Sequence, residues 1–170
     1  MPAHPKPAPK PKGKPRKKKT QRQIVTRDLD KLVREIVFFR DPLAVPLSYQ
    51  ITDAYEYAVK HSGIDHPGHI ISRAKVAVRW DLYNVHKQDA NDNLLHNYHP
   101  EVYTQWFIGQ FGLPQYERMV NDSRVITKYS MDDLETLYVE LVEIQKWQEA
   151  TGKKAYFSQR DIINGEWRNK

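Results

Sequence analysis

Apolar positions along the chain fall into separate periodic blocks. Leu29, Leu32, Val33, Ile36 and Val37 recur at spacings of three and four, which predicts a helix capped by Thr26 and running to about Arg40, with Asp41-Pro42 as its stop. Pro42 to Tyr49 reads as an irregular connector with two prolines, and a short helix is expected from Asp53 to His61, ended by Gly63. From His66 to Trp80 the period changes. A Pro67-Gly68 turn followed by β-prone His69–Arg73 and Val76–Trp80 predicts a two-stranded hairpin, with a loop continuing to Asn84.

Helical spacing then returns. One helix is expected from Asp89 over Leu94, Leu95 and His96. A second opens at Pro100, presents Val102, Tyr103, Trp106, Phe107 and Ile108, and stops at Gly112; a short third covers Gln115 to Val120. Ser130 with Asp133 is a capping signal for the longest helix, in which Leu134, Leu137, Tyr138, Leu141, Val142, Ile144 and Trp147 lead to Gly152. Its outer face is acidic (Asp132, Glu135, Glu140, Glu143, Glu149) and should turn away from a phosphate backbone. The class is α+β, mainly α. The expected organisation is a tail over 1–22, a hairpin-and-helix domain with its leading helix over 23–112, a helical extension over 113–152 and a polar C-terminal tail over 153–170.

Charge adds a second division. Of 27 basic and 21 acidic residues, eight basic ones and no acid lie in positions 1–20, so the net charge of +6 belongs to an arm and the remainder is slightly acidic. That arm holds six prolines among Lys and Ala, a composition that buries no core and is expected to be extended and disordered. Lys17, Lys18 and Lys19 at its end are candidates for phosphate contact through counterion release; a solubilising role is the plainer reading. No long apolar run or apolar leader occurs, so neither a membrane span nor a secretory signal is expected, and a cytoplasmic protein is the default, in the host cell if the chain is phage-encoded. The absence of cysteine excludes disulfides and thiolate-bound zinc.

Candidate chemistry concentrates where the hairpin is expected. Five of seven histidines (His66, His69, His86, His96, His99) lie within 66–99, in the runs Gly68-His69-Ile-Ile-Ser-Arg73, Asp81-Leu-Tyr-Asn84-Val-His86-Lys-Gln88 and Asn93-Leu-Leu-His96. A His at a strand, an Asn in the following loop and an Asn with a His on a short helix make a ββα-metal order. This series, with Trp106-Phe107 following, resembles the phage NinG (Rap) recombination proteins of the HNH endonuclease superfamily over roughly residues 27–150.

The resemblance implies a metal-dependent endonuclease of branched or Holliday-junction DNA. His69 would be the general base that activates water, and Asn84 would orient its imidazole. His96, with Asn93, would hold Mg²⁺ or Mn²⁺. Arg73 and Arg79 would clamp phosphate. DNA is the expected partner, no membrane is expected, and a homodimer is compatible with the sequence. Relatives carry two Cys-x-x-Cys pairs for a structural zinc where this chain has Ala44-Val-Pro-Leu47 and Asp89-Ala-Asn-Asp92, so no structural zinc is expected. Leu43, Val45 and Leu47 would fill the vacated volume, and Asp89 and Asp92 would cap the helix that follows.

Each residue also has a plainer reading. Asn84 could hold a turn, His86 could bond the scaffold, and Trp106 and Phe107 at helical spacing read as core. The alternatives to an endonuclease are a non-catalytic nucleic-acid-binding or structural relic of the HNH fold, and an assembly protein docking a partner through its acidic helix.

Overall fold

The computed structural model describes residues 18–45 and 62–170. The short helix expected over 53–61, Leu47 and Lys17 lie outside the described residues. The described chain is mainly helical, with one two-stranded antiparallel sheet.

Helix α1 spans Gln21–Arg40 and begins earlier than the apolar stripe suggests. The Thr20 hydroxyl accepts from the Gln23 N–H and the Gln23 side chain accepts from the Thr20 N–H, a reciprocal cap that starts the helix before Thr26. Gln21 and Arg22, assigned to the tail by composition, therefore belong to α1.

Strands β1 (Asp65–His69) and β2 (Val85–Asp89) pair in register from Asp65 opposite Asp89 to His69 opposite Val85. This differs from the expected hairpin. The Pro67-Gly68 pair lies within a strand, and Val76–Val78 is a 3₁₀ turn in the long connection between the strands. Two strands are both edges, so Pro67, which has no N–H, is tolerated. Gly68 serves packing: a Cβ there would lie 1.5 Å from Oε1 of the fully buried Gln88.

Four helices follow: α2 (Ala90–His96), α3 (Pro100–Phe111), α4 (Leu113–Arg124) and α5 (Met131–Thr151). Helix α4 is longer at both ends than the Gln115–Val120 expectation. Helix α5 matches its sequence signals, with the Ser130/Asp133 box at one end and Gly152 in the left-handed conformation (φ 68°) at the other.

Two apolar clusters flank the ribbon. The larger joins Leu29, Leu32, Val33, Ile36 and Val37 of α1 to Leu134, Leu137, Leu141 and Ile144 of α5, with Trp80, Leu82 and Val85 beneath. The smaller packs Val45, Ile70, Tyr103, Phe107 and Met119, with Trp106, Phe111 and Tyr116 at its edge. Alternation along β2 sends Val85 to the first cluster and His86 to the aromatics of the second, 4.9 Å from the Trp106 ring and 6.1 Å from that of Phe107. Each fully buried Leu or Ile side chain is worth roughly 1.5–3 kcal/mol relative to exposure.

Residues 153–170 are not a polar tail. Ala155, Phe157, Ile162 and Trp167 are buried in the larger cluster, and α6 (Gln159–Ile163) is capped by Ser158. Glu140, expected on the outer face of α5, accepts from the Trp167 indole at 2.7 Å and pairs with Arg168 at 2.7 Å, fastening this segment to α5.

Where α1 ends, Arg40 is buried. Its guanidinium donates to the carbonyls of Leu82, Val85 and Ala155 and to Nδ1 of His86, and pairs with Asp41 at 2.7 Å. Burial raises the pKa of the Asp41 carboxyl, and the Arg40 guanidinium bonded to both of its oxygens more than offsets this, leaving it well below the usual carboxylate range. His86 donates from Nε2 to the Tyr83 carbonyl at 2.8 Å, so its role is in the scaffold.

Candidate functional site

The long connection between the strands, residues 70–84, curls over one side of the ribbon and is held by side-chain amides. Asn84 Oδ1 accepts from the Ile71 N–H at 2.7 Å, and its Nδ2 donates to the carbonyls of Ile71 (2.9 Å) and Val78 (2.8 Å). Gln159, from the C-terminal segment, accepts from the Trp80 N–H at 2.8 Å and donates to the Val76 carbonyl at 3.1 Å. These bonds satisfy backbone groups that have no ladder partner, which is why a β-prone stretch settles as a compact loop.

Between this loop, α1 and α2 lies a cleft of about 650 Å³. His69, Arg73, Arg79, Asn93 and His96 all line it, joined by Asp30 of α1 and Asn97 beyond α2. Five sequence-predicted residues from a strand, a loop and a helix thus share one cavity.

His69 is mostly buried, and the withdrawal of its ring from water pushes its pKa down to about 4. Its Nε2 lies 3.2 Å from the Arg79 carbonyl, which can only accept, so Nε2 carries the hydrogen and Nδ1 keeps the lone pair at neutral pH. This corrects the expected role of Asn84. The Asn84 amide is fully buried and spent on the loop, and the imidazole is oriented by a backbone carbonyl instead.

His96 and Asn93 stand three residues apart on α2 and share a face. Burial lowers the pKa of His96, so its imidazole is neutral, the form that ligates metals. Its ring meets Tyr103 edge-on at 4.8 Å. Among the described residues, no three His, Asp or Glu side chains gather to hold a metal ion.

The two arginines differ. Arg73 is exposed on the rim of the cleft. Arg79 is already paired: Nε and Nη2 reach the two oxygens of Asp30 at 2.9 and 2.6 Å. Lys18 and Lys19 are exposed before the start of α1 and do not line the cleft.

Of the positions that replace zinc ligands in the resemblance, Asp89 caps α2 by accepting from the Asn91 N–H at 2.9 Å and also accepts from the Ser62 and Gly63 N–H groups. Asp92 is buried in the first turn of α2. Ala44 is half-buried and Val45 buried, whereas Leu43 is 82% exposed and fills no apolar volume.

Asp30 was not singled out by sequence reasoning. A signal existed: it lies three residues before Val33, at the edge of the buried stripe, and both line the cleft. Gln159 left no comparable trace, since nothing local ties it to residues 76–80.

No family model, curated protein or solved structure matches this chain. Among the described residues, no helix is long and apolar enough to cross a membrane.

Proposed function

We propose that the protein is a divalent-metal-dependent endonuclease of the HNH type that acts on branched DNA in the cytoplasm, as its resemblance to the NinG proteins implies. The observation that carries this reading is the gathering of His69, Arg73, Asn93 and His96 around one cleft, with His69 tied through Nε2 so that Nδ1 is the basic atom.

His69 Nδ1 takes the proton from a water as the water oxygen bonds to phosphorus and the ester P–O bond breaks; the leaving sugar oxygen takes a proton from solvent, and His69 gives its own back to solvent. Arg73 on the rim holds a phosphate oxygen. His96 and Asn93 would hold Mg²⁺ or Mn²⁺, which when bound supplies positive charge to the scissile phosphate. An anionic phosphate beside His69 raises the basicity of its imidazole from the low value that burial gives it.

The decisive experiment incubates the full chain with four-way junction and linear duplex DNA in Mg²⁺ or Mn²⁺, alongside His69→Ala and His96→Ala. Cleavage lost in both variants supports the reading, and cleavage that persists unchanged in His69→Ala overturns it. The second reading is a phosphate-binding relic without catalysis. It is favoured by the low basicity of His69 and predicts salt-sensitive DNA binding by a wild-type protein that cuts nothing.

A further inference from the structure

A carboxylate in a cleft that takes phosphate needs a reason, because its charge opposes the ligand. Asp30 lines the cleft beside His69 and Arg79. Both of its oxygens are used: Oδ1 accepts from Arg79 Nε at 2.9 Å and from Trp80 Nε1 at 2.9 Å, and Oδ2 accepts from Arg79 Nη2 at 2.6 Å. The pairing is the forked, two-bond kind that fixes orientation as well as charge.

Residues 79 and 80 flank one peptide plane. Its carbonyl, that of Arg79, accepts from His69 Nε2, and its N–H, that of Trp80, donates to Gln159 Oε1 at 2.8 Å. Asp30 grips the side chains on both sides of that plane. A rotation of the plane would move the acceptor that sets which nitrogen of His69 is protonated. Exposed ion pairs contribute little to stability, and this one is partly open, with side-chain exposures of 20% for Arg79 and 38% for Asp30. Its effect should therefore appear in the imidazole more than in the fold.

We propose that Asp30 is a positioning residue for His69, acting through Arg79 and Trp80 to hold the 79–80 peptide so that the Arg79 carbonyl keeps the imidazole hydrogen on Nε2 and leaves Nδ1 facing its substrate. The kinetic part of this inference rests on the endonuclease reading; the tautomer part does not. It also gives Arg79 a different task from the phosphate clamp expected of it, since its side chain serves as the handle by which α1 holds the loop.

The test uses the full chain with Asp30→Ala, Arg79→Ala and the double variant. Long-range ¹H–¹⁵N spectra of the histidine rings at pH 7.5 are expected to give His69 as the Nε2–H form in the wild type. In each single variant the two ring nitrogens should move toward one another, as in an imidazole exchanging tautomers. With junction DNA and Mn²⁺, kcat should fall about tenfold in each single variant and no further in the double, with KM within about twofold of wild type. Arg79→Ala severs the forked part of the tie that Asp30→Ala removes whole, so either one decides the matter if the other fails to fold.

Unchanged His69 spectra in the folded variants overturn the proposal. So do losses that multiply in the double variant, or an effect of Arg79→Ala confined to KM, which would make Arg79 a phosphate clamp. If the wild type cleaves nothing, the endonuclease reading fails and the spectra alone decide whether Asp30 holds His69.

Discussion

The α1–α5 pair and the ribbon with its 70–84 loop lie against one another, yet different forces hold them. Between the helices the contacts are mainly apolar and repetitive: Leu29, Ile36 and Val37 meet Leu137, Leu141 and Ile144, Gln148 adds a buried bond to the Ile36 carbonyl at 3.0 Å, and reciprocal caps close both helix starts. Over the ribbon, the buried Ile70, Trp80, Leu82 and Val85 are joined by a few polar side chains. Asn84 bonds backbone groups of its own loop, and Gln159, Arg40 and Asp30 bond backbone or charged groups 45 to 79 positions away. Apolar packing is non-directional, whereas a hydrogen bond fixes direction as well as distance and weakens steeply as its angle closes. The imidazole of His69 sits in the region where polar ties are added to the apolar packing.

The largest break in that comparison is His69→Ala. It should lower DNA cleavage by about 10²- to 10⁴-fold while leaving the far-ultraviolet circular dichroism of the helices unchanged. Next comes Asn84→Ala, which strands the Ile71 N–H and the carbonyls of Ile71 and Val78 inside the protein. Urea unfolding should show a loss of about 4 kcal/mol, and activity should fall with it.

Leu137→Ala probes the apolar partner. It should cost about 3 kcal/mol in the same measurement, with kcat for DNA retained in the fraction that stays folded. Should Leu137→Ala abolish activity while Asn84→Ala spares it, the division between the two regions is wrong.

Acid titration sharpens the comparison on the ribbon side. Burial lowers the pKa values of His69, His86 and His96, His69 from 6.5 to about 4. Below 6.5 the unfolded chain binds protons that the folded protein refuses, so the stability these groups contribute is full above that pH and is lost as pH falls toward 4. His69 alone should account for about 2 kcal/mol between pH 7.5 and 5, read as the part of the shift in urea midpoint that His69→Asn removes. The smallest effect belongs to the helical side: Ser130→Ala should cost about 1 kcal/mol through loss of the α5 cap, with cleavage unaffected.

How much of this was legible in the residues depended on how local each cause is. The α5 boundaries followed from Ser130, Asp133 and Gly152, and the N-cap of α2 from Asp89. The start of α1 was misplaced because the stripe begins after the cap; Thr20 and Gln23 held the true signal. The second strand was placed too early, at the β-prone Val76–Trp80, because backbone groups there are satisfied by Asn84 and Gln159 and need no ladder. The segment 153–170 was read as a tail because its buried residues are spaced too irregularly to show a period.

By itself the sequence determined the main helices and the mainly helical class, which depend on residue identity and on spacings of four or fewer, and it singled out His69, Arg73, Asn93 and His96 through the order of motifs that carries the resemblance to the NinG proteins. Tertiary structure decided how that set is used. It brought the four to one cleft, replaced Asn84 by the Arg79 carbonyl as the partner of His69, paired Arg79 with Asp30, and set Gln159 behind the loop. Those decisions turn on hydrogen bonds between residues 10 to 79 positions apart, whose geometry exists only once the helices have packed.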